Sequence, residues 1–241
     1  MRLVICLPTY NERANLEPMV RRLGEVLAGV DAEPRVLVID DSSPDGTGEL
    51  ADRLSGELPF VSVLHRPRKE GLGPAYVEGF RWALEHGADR IVQMDADFSH
   101  DPADVPRLLG ATESAGLSLG SRYIEGGGTQ NWGKGRQAIS RFGSFYARTI
   151  LGVGVRDLTG GFKCWRREAL EALPLDRIRT KGYAFQVETT YRALRARSEV
   201  VEVPIVFAER RSGGSKMTRG IVVEAVWKVP ELRARAARDR L

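Results

Sequence analysis

Histidine and cysteine are scarce in this chain: 241 residues contain three of the first and two of the second. Cys6 and Cys164 each stand in an apolar stretch. That predicts reduced, buried thiols of a cytoplasmic protein and excludes a disulfide framework. His65, His86 and His100 have no metal-ligand spacing, so a zinc site is excluded as well. Long apolar runs are missing too. None reaches the roughly 18 residues of a spanning helix, so any work at a membrane is expected from its cytoplasmic side. The apolar run in residues 1–8 is too short for a signal peptide, and Pro8 ends it with no small-residue cleavage site behind. There is no internal repeat, and no linker that separates domains. A strong excess of one charge is absent: 36 Lys and Arg face 32 Asp and Glu, for a net +4. Anionic partners are allowed, but the bases are interspersed with acids and form no nucleic-acid stripe, so nucleic acid is not expected as a partner.

What is present centres on residues 91–100, Ile-Val-Gln-Met-Asp-Ala-Asp-Phe-Ser-His. An apolar run that stops at two carboxylates reads as a buried strand emerging at a sheet edge. Asp101 and Pro102 then suit the N-cap and first position of a helix. In a fully extended strand Asp95 and Asp97 point to one face, and at a strand end that face opens into the crevice where α/β proteins bind ligands. Two converging carboxylates call for a cation, Mg²⁺ or Mn²⁺, completed by substrate phosphates. Solvated loop carboxylates are the plain alternative.

The rest of the chain supplies context. Apolar strands are predicted over 3–7, 35–39, 61–64 and 91–94, with helices between them and a basic, Gly-containing loop over 66–73. This β-α alternation implies a mostly parallel, twisted sheet covered on both faces. Because the first two strands also end in polar turn clusters, one sheet edge collects Tyr10, Glu12, Asp41 and the two metal candidates. Further on, a strand is predicted over 117–123, a mobile Gly-rich segment anchored by Trp132, helices over 137–151 and 185–194, and a last strand over 200–207. From residue 219 a helix is expected, with Pro230 kinking or interrupting it.

Several motifs fall together in one order. They are Pro8-Thr9-Tyr10-Asn11-Glu12, Asp40-Asp41-Ser42-Ser43-Pro44-Asp45-Gly46-Thr47, Met94-Asp95-Ala96-Asp97-Phe98-Ser99-His100 and Gly120-Ser121-Arg122-Tyr123. Asn131-Trp132, Thr159-Gly160-Gly161-Phe162, and Arg210 with Ser215-Lys216 follow. The set, over about residues 3–218, resembles the inverting family-2 glycosyltransferases, and in particular the dolichol- or polyprenol-phosphate mannose synthases of the subclass without membrane segments. The resemblance implies a nucleotide-sugar-binding, Rossmann-like α/β fold of GT-A type. It implies that Pro8, Tyr10, Glu12, Ile39 and Asp41 hold the guanosine of GDP-mannose, and that Asp95, Ala96 and Asp97 meet the ribose, diphosphate and metal. Ser99 stands where some relatives carry a metal-binding Gln, and would be a weaker ligand. Arg122, Arg136, Arg210 and Lys216 match basic positions that contact the donor diphosphate or the acceptor phosphate.

The chemistry implied is mannosyl transfer to a polyprenyl phosphate, with inversion to a β-linked product. The leaving diphosphate needs a divalent cation and fixed positive groups, whereas the acceptor phosphate needs positioning more than deprotonation. Asp97, Arg210 and Lys216 are the expected catalytic groups, and His100 is expected as a structural neighbour. The Gly213-Gly214 pair predicts a loop over 209–216 that closes over the donor. Residues 1–218 are expected as the catalytic domain. Residues 219–241 form an amphipathic tail that lies in a lipid interface or packs on the core or a membrane-anchored partner. That places the protein at the inner face of the membrane as a peripheral enzyme. A related transferase using another donor such as UDP-glucose is the nearest alternative, and a nucleotide-sugar-binding protein without turnover the more distant one.

Overall fold

Four times near the start of the chain an apolar run becomes a strand, and in each case polar or turn-forming residues end it. The computed structural model describes residues 1–178, 180, 182–209 and 219–238. Strands β1 (Arg2–Thr9), β2 (Glu33–Asp40), β3 (Val61–His65) and β4 (Arg90–Gln93) alternate with helices α1 (Arg13–Leu27), α2 (Thr47–Glu57) and α3 (Leu72–Glu85). There follow α4 (Val105–Ala111), β5 (Leu117–Ser121), β6 (Gly128–Thr129), α5 (Lys134–Leu151), β7 (Lys163–Arg166) and α6 (Arg167–Glu171). The last elements are α7 (Gly182–Arg195), β8 (Val200–Pro204), β9 (Val206–Phe207) and α8 (Arg219–Arg238).

Seven strands form one sheet in the order β3-β2-β1-β4-β7-β5-β8. β1 pairs in parallel with β2 and β4, and only β7 runs antiparallel to its neighbours β4 and β5. Strand order reverses at β1, with β2 and β3 on one side and β4 on the other, which makes the β1/β4 edge the switch point where such sheets bind ligands. Both faces are covered, as parallel sheets require. On one face α1, α2 and α4 pack through Leu16, Met19, Leu23, Leu54 and Leu108. On the other, α3, α6 and α7 contribute Tyr76, Phe80, Leu170 and Phe185. Tyr76 stacks parallel to Phe185 at 5.8 Å between ring centroids, which fixes α7 against α3. Cys6 and Cys164 are free thiols in this interior, and burial pushes the Cys164 thiol up to about 12.

Three expectations change. The Gly-rich segment before α5 is tied down, because β6 adds to β9 in a small second sheet. Trp132 is buried against the edge of Phe207 at 5.3 Å. The last predicted strand therefore divides near Ile205, β8 staying in the main sheet while β9 leaves it. Finally, Pro230 lies inside α8 and does not end it. Val229, Leu232 and Ala236 are buried in a cluster with Ala147 and Leu151 of α5 and Val187 and Tyr191 of α7, and this contact supports the turns beside the proline. Among the described residues, no helix is long and apolar enough to cross a membrane.

Candidate active site

β4 ends at Gln93, so Asp95 and Asp97 lie beyond the strand and not on an extended face of it. The chain turns back through Phe98, whose φ of 61° is unusual for a bulky side chain. Asn11 after β1 and Ser42 after β2 have the same left-handed conformation, at 58° and 59°. Three neighbouring strand ends thus each carry a backbone residue in a costly region, a pattern associated with functional loops.

These strand ends open on a cleft of about 300 Å³. Pro8 lies at the end of β1, Tyr10 and Glu12 follow it, Asp41 follows β2, and Lys69 reaches in from the loop before α3. Asp95, Ala96, Asp97 and His100 form the middle, and Arg122, Arg136, Gln186 and Phe207 form the far wall. Tyr10, Glu12 and Asp41 thus share one end with Lys69, while Arg122 and Arg136 share the other with Phe207.

Local bonds hold each group in place. Lys69 Nζ stands 3.6 Å from the centroid of the Tyr10 ring. Glu12 begins α1, and its backbone N–H donates to Thr47 Oγ1 at 3.0 Å. Burial pushes the Asp41 carboxyl above its ordinary value, and the buried Arg66 guanidinium, paired to it, opposes the shift. The buried Tyr76 hydroxyl donates to Asp95 Oδ1 at 3.3 Å, and burial raises its pKa so far that it stays a donor. Asp97 Oδ1 accepts from the Ser99 N–H at 3.0 Å. His100 Nδ1 accepts the Asp95 N–H at 3.1 Å, and its ring stacks on Phe162. Burial lowers the His100 pKa, so the ring is a neutral support for the acidic loop.

Ile39, Arg122 and Ser99 stand differently from their expected roles. Ile39 is wholly buried and faces α3, where its Cδ1 fills the space above Gly79. Its side chain has no face on the cleft. Arg122 lines the cleft but is also locked internally, with Nε and Nη2 each 2.7 Å from a different oxygen of buried Asp157. Burial alone would raise the Asp157 carboxyl, yet the Arg122 charge and hydrogen bonds hold it below the usual range. The remaining basic candidate among the described residues, Arg136, sits 4.0 Å over the Trp132 ring and donates to Glu209 at 3.2 Å. Arg210 and Lys216 lie outside the described residues.

Tyr76, Lys69, Arg66 and Gln186 were not singled out from the sequence. Lys69 and Arg66 belong to the basic loop already visible there, whereas nothing local marks Tyr76 or Gln186. The residues present fit a hard divalent cation: Asp95 and Asp97, both lining the cleft, would supply oxygen ligands to a site that substrate phosphates would complete. Ser99, which does not line the cleft, has a buried Oγ with no hydrogen-bond partner among the described residues.

The fold is shared with a solved glucosyl-3-phosphoglycerate synthase from Mycobacterium tuberculosis in complex with Mn²⁺, UDP and glucosyl-3-phosphoglycerate. That likeness has a TM-score of 0.68 at 20% identity, and covers 97% of this chain and 80% of that one. It establishes a GT-A type of fold. Among curated proteins, an undecaprenyl-phosphate mannosyltransferase of Micrococcus luteus is 49% identical over 229 residues, covering 95% of this chain and 93% of its own. A polyprenol monophosphomannose synthase of Mycolicibacterium smegmatis is 46% identical, over 99% of this chain and 89% of its own. A dolichol-phosphate mannosyltransferase of Pyrococcus furiosus is 36% identical, over 93% of this chain and 61% of the longer relative. Residues 4–173 match Glycosyl transferase family 2, and the chain belongs to that family.

Proposed function

We propose that the protein transfers mannose from GDP-mannose to a polyprenyl phosphate with inversion, giving a β-linked mannosyl phosphate and GDP. The observation that carries this reading is the gathering in one cleft of Tyr10, Glu12 and Asp41 after β1 and β2, of Asp95 and Asp97 after β4, and of the cations Lys69, Arg122 and Arg136. The names of the three curated relatives, which specify mannosyl transfer to undecaprenyl, polyprenol or dolichol phosphate, support the sugar and the acceptor class.

In this reading the base lies against Tyr10, and the carboxylates of Asp41 and Glu12 accept hydrogen bonds from base and ribose. A guanine edge offers adjacent N–H donors to a carboxylate. Uracil offers a single N–H between two carbonyls, so an acidic base pocket favours the purine. Asp95 and Asp97 would hold Mg²⁺ or Mn²⁺, and a bound cation there would supply positive charge to the leaving diphosphate. Arg136, Arg210 and Lys216 add fixed positive charge for donor and acceptor phosphates, and Arg122, already spanned by Asp157, contributes chiefly by shaping the wall between them. The acceptor phosphate is an anion near neutral pH and attacks without a general base, once it is aligned opposite the leaving group. The protein works as a peripheral enzyme at the membrane face that presents the lipid.

The test is turnover of GDP-mannose with a polyprenyl phosphate, with Mn²⁺ or Mg²⁺ and after chelation, followed by NMR of the anomeric proton. A β-linked product that requires the metal is expected. An α-linked product, or undiminished transfer after chelation, overturns the mechanism.

A further inference from the structure

A second opening lies on the outer side of α5, with a volume of about 380 Å³. Arg141, Arg148 and Arg156 line it together with Tyr123 and Phe145, and Arg122 forms the wall it shares with the cleft. Among the described residues, no carboxylate lines this groove, and none pairs with the side chain of Arg141, Arg148 or Arg156. Arginines elsewhere on the surface behave differently: Arg21 and Arg53 both meet Glu17, and Arg22 meets Glu25. In the groove the guanidinium groups lie beside rings instead, Arg141 at 5.9 Å from Tyr123 and Arg148 at 5.4 Å from Phe145. Glu202 meets Arg156 only at its backbone N–H, so the three guanidinium groups, with no carboxylate among the described residues paired to them, repel one another until an anion joins them.

The same helix shows which anion. Ile139, Phe142 and Phe145 are 51%, 66% and 53% exposed, each three residues after the last. They form an apolar stripe on the outside of α5, next to the groove. A free phosphate has no use for such a stripe. A bilayer matches both parts, since apolar side chains enter the acyl boundary while arginines meet phosphodiesters at the headgroup level.

We propose that this groove binds the phosphate headgroup of an anionic phospholipid of the host membrane, with Phe142 and its neighbours inserted beside it. The bound lipid is part of the surface and not the acceptor. The first turn of α5 carries Arg136 into the cleft, so docking through the next turns sets the cleft mouth at the height of lipid phosphates. The inference goes beyond the transferase reading, and its test contains neither donor nor acceptor in the binding step. Its failure therefore leaves the proposed reaction standing.

The experiment is flotation of the full chain with phosphatidylcholine vesicles, with and without phosphatidylglycerol. Three variants accompany it: Arg141→Ala/Arg148→Ala/Arg156→Ala, Phe142→Asp, and Arg21→Ala/Arg22→Ala/Arg53→Ala as a control of equal charge change. Binding to phosphatidylglycerol vesicles should fall roughly fivefold per groove arginine and on the order of a hundredfold for all three. Phe142→Asp should weaken it too, while the control stays close to the parent, and unchanged melting verifies the folds. Equal losses in the groove and control variants, or none in the groove variant, would overturn the proposal. So would protection of residues 141–148 from hydrogen exchange by inorganic phosphate alone to the extent that vesicles give. Displacement of the protein from these vesicles by a short, soluble prenyl phosphate would likewise overturn it, by making the groove an acceptor subsite.

Discussion

Asp97 faces the cleft yet is only 3% exposed, and it accepts the Ser99 N–H. A carboxylate beyond a strand end would ordinarily be solvated and dispensable to the fold, but the buried hydrogen bond gives Asp97 a second duty. Asp97→Ala should lower metal-dependent turnover at least about a hundredfold, and lower stability by about 1 kcal/mol as the amide loses its acceptor. Asp97→Asn separates the two effects, because it keeps an acceptor and loses the charge. Steady-state rates and thermal melts of both variants check this, and near-normal turnover of Asp97→Asn would sink the ligand assignment. Arg122 calls for the opposite caution. Arg122→Ala strands Asp157 in the interior, at a cost of about 3–5 kcal/mol. A denaturant titration should show that loss before any change in activity is ascribed to phosphate binding. His100 sets a pH dependence. Its folded pKa is depressed by burial, so its contribution to stability is present above the unfolded value of about 6.5 and is lost as pH falls through the folded value. Between about pH 7.5 and about pH 5.5 the parent should lose more stability than His100→Gln, measured by urea unfolding. Parallel curves would contradict the assignment.

At the scale of elements, α8 has two parts with different duties. Leu232 is buried with α5 and α7, whereas Trp227 is 75% exposed. Leu232→Ala should cost roughly 2–5 kcal/mol. Trp227→Ala should change stability by no more than about 0.5 kcal/mol and reduce vesicle binding if this end of α8 shares the interface with α5. Melting and flotation of the two variants read these outcomes separately. The same contrast explains what could be read from the sequence. β1, β2, β4 and their turn clusters are local signals, an apolar run and its break, and they brought Tyr10, Glu12, Asp41, Asp95 and Asp97 to one edge. β6 and β9 have two residues each, and their pairing joins segments far apart in the chain. No local periodicity marks such a pair, so the Gly-rich segment read as mobile. Ile39 sits two residues before Asp41 and in an extended chain would share its face, but β2 ends at Asp40 and Ser42 turns the backbone. Gln186 reaches the cleft, and the buried Tyr76 reaches Asp95 behind it, from helices, through packing between α3 and α7 that is tertiary throughout.

For the whole molecule, the switch point at β1 and β4 collects the groups proposed to bind the donor, while α5 and α8 pack on each other. α5 links the two regions, with Arg136 in the cleft and Phe142 outside. That arrangement suits an enzyme that takes a soluble nucleotide sugar from one side and a lipid phosphate from the other. The central claim is the pairing of these two substrates. Its most direct measurement offers the purified full chain a panel of labelled nucleotide sugars, GDP-mannose and UDP-glucose among them, with a polyprenyl phosphate and Mn²⁺ or Mg²⁺. The account predicts label in the lipid phase from GDP-mannose alone, and its loss when the polyprenyl phosphate is omitted. Transfer from UDP-glucose in preference to GDP-mannose, or no lipid-linked sugar from any donor, would contradict it.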